Sequence, residues 1–394
     1  MGLLRSSMVP SRFVFFLAAI SSLLVGTGAC KSSAAVSSDA DAQGGAGAGT
    51  GGSSTGGGSG GLAMDAASAD GPNDRTNGLG GAPGMGGSSG TGGAGGSAID
   101  GGGAPLPPAI NWARQGSSSY IYEGIWGSGP SDIYAVGRSG RLVHSTGDGA
   151  WTSQTTDTAA ELTGIWGSGP TDIYVSVLSN FVMHSTGNGT WEHQPTTAGY
   201  TFRGVWGSGP TDVYVVGPGA LHSTGNGVWQ TPRQVVTDGV TWSIWGTSPS
   251  NVYAVNSGRS QNVFHSIGDG VWRAQTTPPG HDLQSIWGAD ATHIYVGGTN
   301  VILSSSGDGV WREDPVSTPA PTDIVLAIWG TGPDAVYACT QNGYFFRSNG
   351  AGQWSASQQI DPQEVQPLFC GSIWGTGAGD IYLATASGIY HGTN

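Results

Sequence analysis

Five histidines recur at one place in a repeated segment: His144, His184, His222, His265 and His391. Imidazoles can act as general bases or metal ligands near neutral pH, so their repetition is weighed first. One metal ion needs its ligand nitrogens about 2 Å away. Equivalent positions in neighbouring packed sheets stand about 10 Å apart or more, so the five cannot converge on one ion. Their recurrence reads instead as part of the strand that carries them. Other chemistry is sparse. Between residues 109 and 394 there is no Gly-x-Ser-x-Gly nucleophile turn, no His-Glu-x-x-His, no P-loop and no Cys-x-x-Cys. Three Cys are too few for a disulfide framework. Cys339 and Cys370 either pair in an oxidising compartment or remain two buried thiols. No cofactor, no metal and no catalysis are expected.

The elements that hold these residues come from a repeat. The Trp of an Ile-Trp-Gly-type triplet occurs at Trp126, Trp166, Trp206, Trp245, Trp287, Trp329 and Trp374, spaced 40, 40, 39, 42, 42 and 45 residues apart. A period near 40 with a Trp signature and no helical pattern marks the blades of a propeller. One unit offers four short strands, around Leu162–Trp166, Asp172–Val175, Phe181–His184 and from Trp191 onward. β-branched and aromatic residues fill these runs. Gly-Ser-Gly-Pro reads as the turn after the first strand. Asp-Gly or Asn-Gly, at Asp148, Asn188, Asn226, Asp269 and Asp308, reads as the tight turn before the fourth. Asn188-Gly189-Thr190 is formally a glycosylation sequon and is read as one of these turns. A second Trp marks strand four at Trp151, Trp191, Trp229, Trp272, Trp311 and Trp354, which is six for seven units. Trp112, with Gln115 three residues on, repeats the Trp-x-x-Gln spacing of Trp151 and Gln154. The chain also ends soon after a third strand. The expected fold is therefore all-β, a seven-bladed β-propeller over 109–394, closed by an N-terminal strand at 110–115.

Ahead of it the composition changes. Residues 31–108 are almost all Gly, Ser, Ala, Thr, Asp and Pro, too poor in apolar surface to offset the entropy of ordering. They read as a disordered low-complexity linker, which as a flexible coil spans roughly 50 Å. Residues 1–30 carry Arg5 and Arg12, an apolar run from Phe13 to Val25, and Gly28-Ala29-Cys30. The run is too short for a lone transmembrane helix and reads as a signal segment. Its end resembles a bacterial lipoprotein lipobox. That resemblance makes Cys30 the lipid attachment site and implies export to the outer membrane or cell surface. A secreted or periplasmic product is the alternative. The only membrane contact expected is through this anchor, and the protein is expected to be a monomer. With net charge −13 and only 13 Lys+Arg, it lacks the positive footprint of a nucleic-acid binder.

The STGDGAW and STGNGTW segments resemble the Asp-box of bacterial neuraminidase (BNR) repeats, although the usual Ser-x-Asp-x-Gly-x-Thr-Trp is one residue longer. The blades also resemble tectonin-type lectins and propeller lipoproteins of the myxobacterial type. The resemblance implies that Asp148, Asp269 and Asp308 shape turns. A sialidase-like hydrolase would need three Arg clamping a carboxylate and a Tyr–Glu pair. The nine Arg of residues 109–394 do not recur at equivalent inner positions, so glycosidase chemistry is not expected.

Recognition remains. The turns between strands one and two and between three and four barely change from unit to unit. The connections on the opposite face vary, and the Trp-to-Trp interval across the main one runs from 14 to 20 residues. Variable loops on a rigid scaffold are where binding usually resides. The position three before each triplet Trp faces that rim and differs in every unit: Glu123, Thr163, Arg203, Trp242, Gln284, Leu326 and Gly371. Glu123, Arg203, Trp242 and Gln284 are the candidate ligand contacts, with Trp242 either a binding aromatic or a channel filler. The expected function is surface recognition, lectin-like binding of a glycan in adhesion. The alternative is a scaffold that docks another envelope protein.

Overall fold

The computed structural model describes residues 105–394 apart from 197, 198, 200, 233–238, 258–262, 315, 365 and 366. The signal segment, Cys30 and the linker up to residue 104 lie outside the described residues. Strands form seven antiparallel sheets in chain order, with no helix among the described residues. Blade 2 shows the plan: Leu162–Gly169, Asp172–Val177, Phe181–Ser185 and Glu192–Pro195 meander outward. The first strands stand side by side around the axis, and that of blade 7 (Cys370–Gly377) returns to that of blade 1 (Tyr122–Gly129). The molecule is a seven-bladed β-propeller. Its last blade is completed by the N-terminal strand Asn111–Gln115, antiparallel to Gly388–Thr393 with Trp112 opposite Gly392. This closure leaves the ring no open edge.

The second strand explains why the repeat reads as an apolar run rather than an alternation. In Asp132–Gly137, Asp172–Val177, His293–Gly298, Ala335–Thr340 and Asp380–Thr385 every residue after the first is buried. Both faces of a blade pack on neighbouring blades, so most of these side chains are apolar, with Ser176, Thr340 and Thr385 the buried polar ones.

The Trp-Gly pair is a socket between blades. The Trp126 ring edge lies where a Cβ on Gly167 would stand, 2.6 Å from it. Trp166 does the same to Gly207, Trp206 to Gly246, Trp245 to Gly288, Trp287 to Gly330 and Trp329 to Gly375, and Trp374 closes the circle onto Gly127. Only a residue without a side chain admits the ring this closely. Each of these Trp residues also stacks on the Tyr of its own second strand, as Trp166 does on Tyr174 with centroids 6.3 Å apart. The strand-four Trp of the following blade meets that Tyr edge-on, as Trp229 meets Tyr174 at 6.1 Å. Its indole N–H donates to the Gln of the preceding blade: Trp191 to Gln154 at 2.7 Å, Trp229 to Gln194 at 3.0 Å, and Trp151 to Gln115 at 3.0 Å. The last of these reaches the N-terminal strand, so the Trp-x-x-Gln spacing is an inter-blade latch.

Two expectations need correction. Gly-Ser-Gly is not a turn but the end of strand one, which continues to Gly129, Gly169 or Gly209 through a β-bulge. The turn itself is the two residues that follow. Blade 3 has three strands (Gly204–Gly209, Asp212–Val216, Ala220–Ser223) plus a single bridge from His222 to Gln230. Pro232, two residues on, has no N–H to extend that ladder. Cys339 on the second strand of blade 6 and Cys370 at the start of blade 7 form a disulfide, with Cα atoms 5.9 Å apart. It staples blade 6 to the blade that closes the ring.

Candidate functional site

The recurrent histidines sit in Ser–Asp–His groups, which invites comparison with a hydrolytic triad. The order of contacts decides against it. In a triad the imidazole stands between the hydroxyl and the carboxylate. Here the carboxylate stands in the middle: Asp132 Oδ1 faces His144 Nε2 at 2.9 Å while Oδ2 accepts from Ser128 Oγ at 2.5 Å. The same clamp holds Ser168, Asp172 and His184, Ser208, Asp212 and His222, and Thr376, Asp380 and His391. The imidazole lies against the second-strand Tyr, with centroids 4.4 Å apart for His144 and Tyr134. Burial pushes the Asp212 carboxyl up, but bonds from His222 and Ser208 outweigh it and hold the group below its ordinary value. A carboxylate so stabilised is a poor base for the serine. These groups pin the bulge at the end of strand one to strand three.

Blade 4 carries the internal control. Asn251 replaces the Asp, faces His265 Nε2 at 2.9 Å and donates to Thr247 Oγ1 at 2.8 Å. With no carboxylate beside it, burial and then Arg273 lower the His265 pKa. The unfolded chain therefore takes up the proton first, and this site subtracts stability as pH falls through the ordinary histidine range. Asn251→Asp is expected to raise the His265 pKa in an NMR titration; an unchanged midpoint would refute the clamp's electrostatics.

The opposite end of the channel differs. In six of the seven blades the variable residue is the extra residue of a bulge near the start of strand one: Glu123, Thr163, Trp242, Gln284, Leu326 and Gly371. Arg203 immediately precedes strand one of blade 3 and bonds Val216 O through its backbone N–H. A bulge takes one side chain out of the paired ladder and re-aims it. Of the four candidate contacts, Arg203 and Trp242 touch, and Glu123 pairs with a residue outside the four. Arg203 lies over the Trp242 ring at 4.2 Å. Glu123 binds Arg138 at 3.0 Å, and Arg138 also reaches Glu161 at 3.6 Å. Glu161 and Glu123 act on Arg203 through space and partly offset the lowering of its pKa by burial. Burial raises the Glu123 carboxyl despite Arg138. The Trp242 indole is fixed by an N–H bond to Ser257 Oγ. Gln284 takes the equivalent place on blade 5, but among the described residues its amide bonds only Asp282, at 3.3 Å. Thr163 donates to Phe202 O at 2.8 Å and ties blade 2 to blade 3.

Sequence reasoning missed Arg138, Glu161 and Ser257. All three sit at the ends of elements bordering the variable connections, where no repeat marks them. The other face repeats one device. Asp148, Asn188, Asn226, Asp269 and Asp308 each accept the N–H two residues on, at 2.9 to 3.1 Å. These are turn-forming Asx bonds, with glycines such as Gly149 and Gly189 in the left-handed region. Among the described residues no group of three or more His, Cys, Asp or Glu could hold a metal ion.

No family model and no curated protein matches the chain. Solved structures do. YCF48 bound to a D1 peptide superposes with a TM-score of 0.59 at 15% identity, over 72% of this chain and 94% of that one. A catalytically inactive virginiamycin B lyase from Staphylococcus aureus, with quinupristin, gives 0.64 at 13% identity over 73% and 99%. The WD40 β-propeller domain of Doa1 gives 0.59 at 12% identity over 73% and 97%. At such identities these likenesses establish the propeller fold and nothing of its activity.

Proposed function

We propose that this is a non-catalytic recognition propeller that binds a glycan at the variable mouth of its central channel. It is held at the cell envelope by a lipid on Cys30 and the 31–108 linker. The observation that carries this reading is the contrast between the two faces. One repeats the same Asx turn and Ser–Asp–His clamp from blade to blade. The other presents a different side chain at each equivalent position, and there Arg203 lies over Trp242 while Glu123 pairs with Arg138. An aromatic plane beside hydrogen-bonding polar groups is what a sugar ring packs against. The Asp-box-like turns and tectonin-like blades of the sequence support the same reading. The test is a glycan array probed with the full chain. Binding is expected, and Trp242→Ala is expected to abolish it in a protein that circular dichroism shows still folded.

A second reading, docking of an envelope protein, is favoured by a row of exposed apolar residues on blades 3 to 5. Val228, Ile267 and Val310 occupy equivalent turns and are 53%, 52% and 49% exposed. A blank array with a crosslinked partner lost in Val310→Ser would establish it instead.

A further inference from the structure

The arginines divide in a telling way. The chain holds 26 acidic residues against 13 basic ones, so a carboxylate is easy to find. Of the seven arginines among the described residues, Arg114, Arg138, Arg273 and Arg312 make ion pairs. Arg347 donates to the Pro107 carbonyl. The two left, Arg203 and Arg141, make no ion pair among the described residues, and each has its guanidinium carbon over an aromatic ring. Arg203 is 4.2 Å over Trp242 and Arg141 is 3.7 Å over Tyr120. Arg141 ends the connection between strands two and three of blade 1, and Tyr120 precedes that blade's first strand. By topology both stacks therefore belong to the variable face.

A guanidinium held over a ring through its carbon still has N–H donors to offer a second partner. Those donors form a planar fork matched to a carboxylate. For Arg203 the fork is unused: among the described residues it donates no hydrogen bond from its side chain. Arg141 makes one long bond, Nε to Tyr122 OH at 3.5 Å. Among the described residues the direct ion pairs of Glu123 and Glu161 are with Arg138.

We propose that the variable face binds an acidic polysaccharide, with the carboxylates of its uronic-acid residues on the edges of Arg203 and Arg141. This rests on the glycan-binding reading above and deepens it. The charge of the site selects a carboxylate over a phosphate. Glu123, Glu161, Arg138 and Arg203 sum to zero, so a singly charged uronate meets little repulsion. A phosphate monoester near −2 would meet the two glutamates. Two stacks on separate blades suit a polymer with repeated charges better than a single sugar. The aromatic partners, half-buried Trp242 and exposed Tyr120, hold each guanidinium in place.

The probe is polygalacturonate, set against the same polymer fully methyl-esterified, in affinity electrophoresis and calorimetry with the full chain. Binding to the acid form is expected to exceed binding to the ester by at least tenfold. Arg203→Gln and Arg141→Gln should each weaken it by about tenfold, the scale of one charge-assisted hydrogen bond, with an unchanged melting temperature. Arg203→Lys, which keeps the charge but not the fork, should recover only part. Equal binding to acid and ester, or no effect of either Gln variant, overturns the carboxylate assignment while the glycan reading stands. Polyglutamate bound as tightly as polygalacturonate overturns the choice of a saccharide. No binding to either polymer, with neutral sugars bound on the array, overturns this proposal alone. A blank array as well removes both.

Discussion

A chain that begins at residue 117 will not form the closed ring, whereas one that begins at residue 105 will. The shorter chain lacks the strand Asn111–Gln115 and with it the whole ladder to Gly388–Thr393. It loses Ile110, which is 2% exposed, and Trp112, whose ring meets Phe345 edge-on at 4.8 Å. Full burial of a side chain such as Ile110 is worth about 1.5–3 kcal/mol, and the partly buried Trp112 adds to it. Gone too are the ion pairs of Arg114 with Asp361 and Glu364, both at 2.9 Å, and the acceptor for the Trp151 latch. Together these exceed about 5 kcal/mol, the low end of a whole domain's stability. Blade 7 would also expose an unpaired edge, the usual start of aggregation. Thermal unfolding followed by circular dichroism, with size-exclusion chromatography, checks this. Equal midpoints for the two chains would show that closure does not depend on the N-terminal strand.

Within one four-residue motif, two glycines are expected to behave oppositely. A Cβ on Gly167 would stand 2.6 Å from the Trp126 ring and 2.9 Å from the Asp172 carbonyl, and neither can yield without moving a blade. Overpacking of this kind costs about 1–3 kcal/mol, and with a ring and a backbone atom both opposed, Gly167→Ala belongs at the upper end. For a domain of this size that lowers the melting temperature by roughly 5–10 °C. Gly169, two residues later, has nothing within 4 Å of its Cβ position, so Gly169→Ala should leave the midpoint within about 1 °C. Equal midpoints for the two variants would remove the socket as the reason for the Trp-Gly signature.

The same socket explains why the fold was legible in the sequence. Each blade contributes a Trp that fills its neighbour and a Gly that receives one, so the signature must recur at every blade and its count is the blade count. Trp112 was recognisable as the missing strand-four Trp because Gln115 repeats the acceptor spacing of the latch. Local detail was less legible. The Gly-Ser-Gly segment looks like a turn by composition, yet its serine bonds an Asp four residues on and holds a bulge inside the strand. The pairing of Cys339 with Cys370 depends on two strands 31 residues apart becoming neighbours across a blade seam. The site was half legible. Its bulge positions stand out because they vary on a constant frame, which led to Glu123, Arg203 and Trp242. Arg138 and Glu161 border connections with no repeat to compare, and only the closed ring brings them to the mouth.

The central claim, recognition at the variable mouth rather than on the turn face, is tested most directly by one glycan array run with three full-length proteins. These are the wild type, a mouth variant carrying Arg203→Gln and Trp242→Ala, and a turn-face variant carrying Asp148→Asn. The last keeps its Asx turn, as Asn188 and Asn226 do in their own blades. The account predicts the same bound glycans for the wild type and the turn-face variant, and none for the mouth variant. Binding that survives in the mouth variant, or is lost with Asp148→Asn, would contradict it.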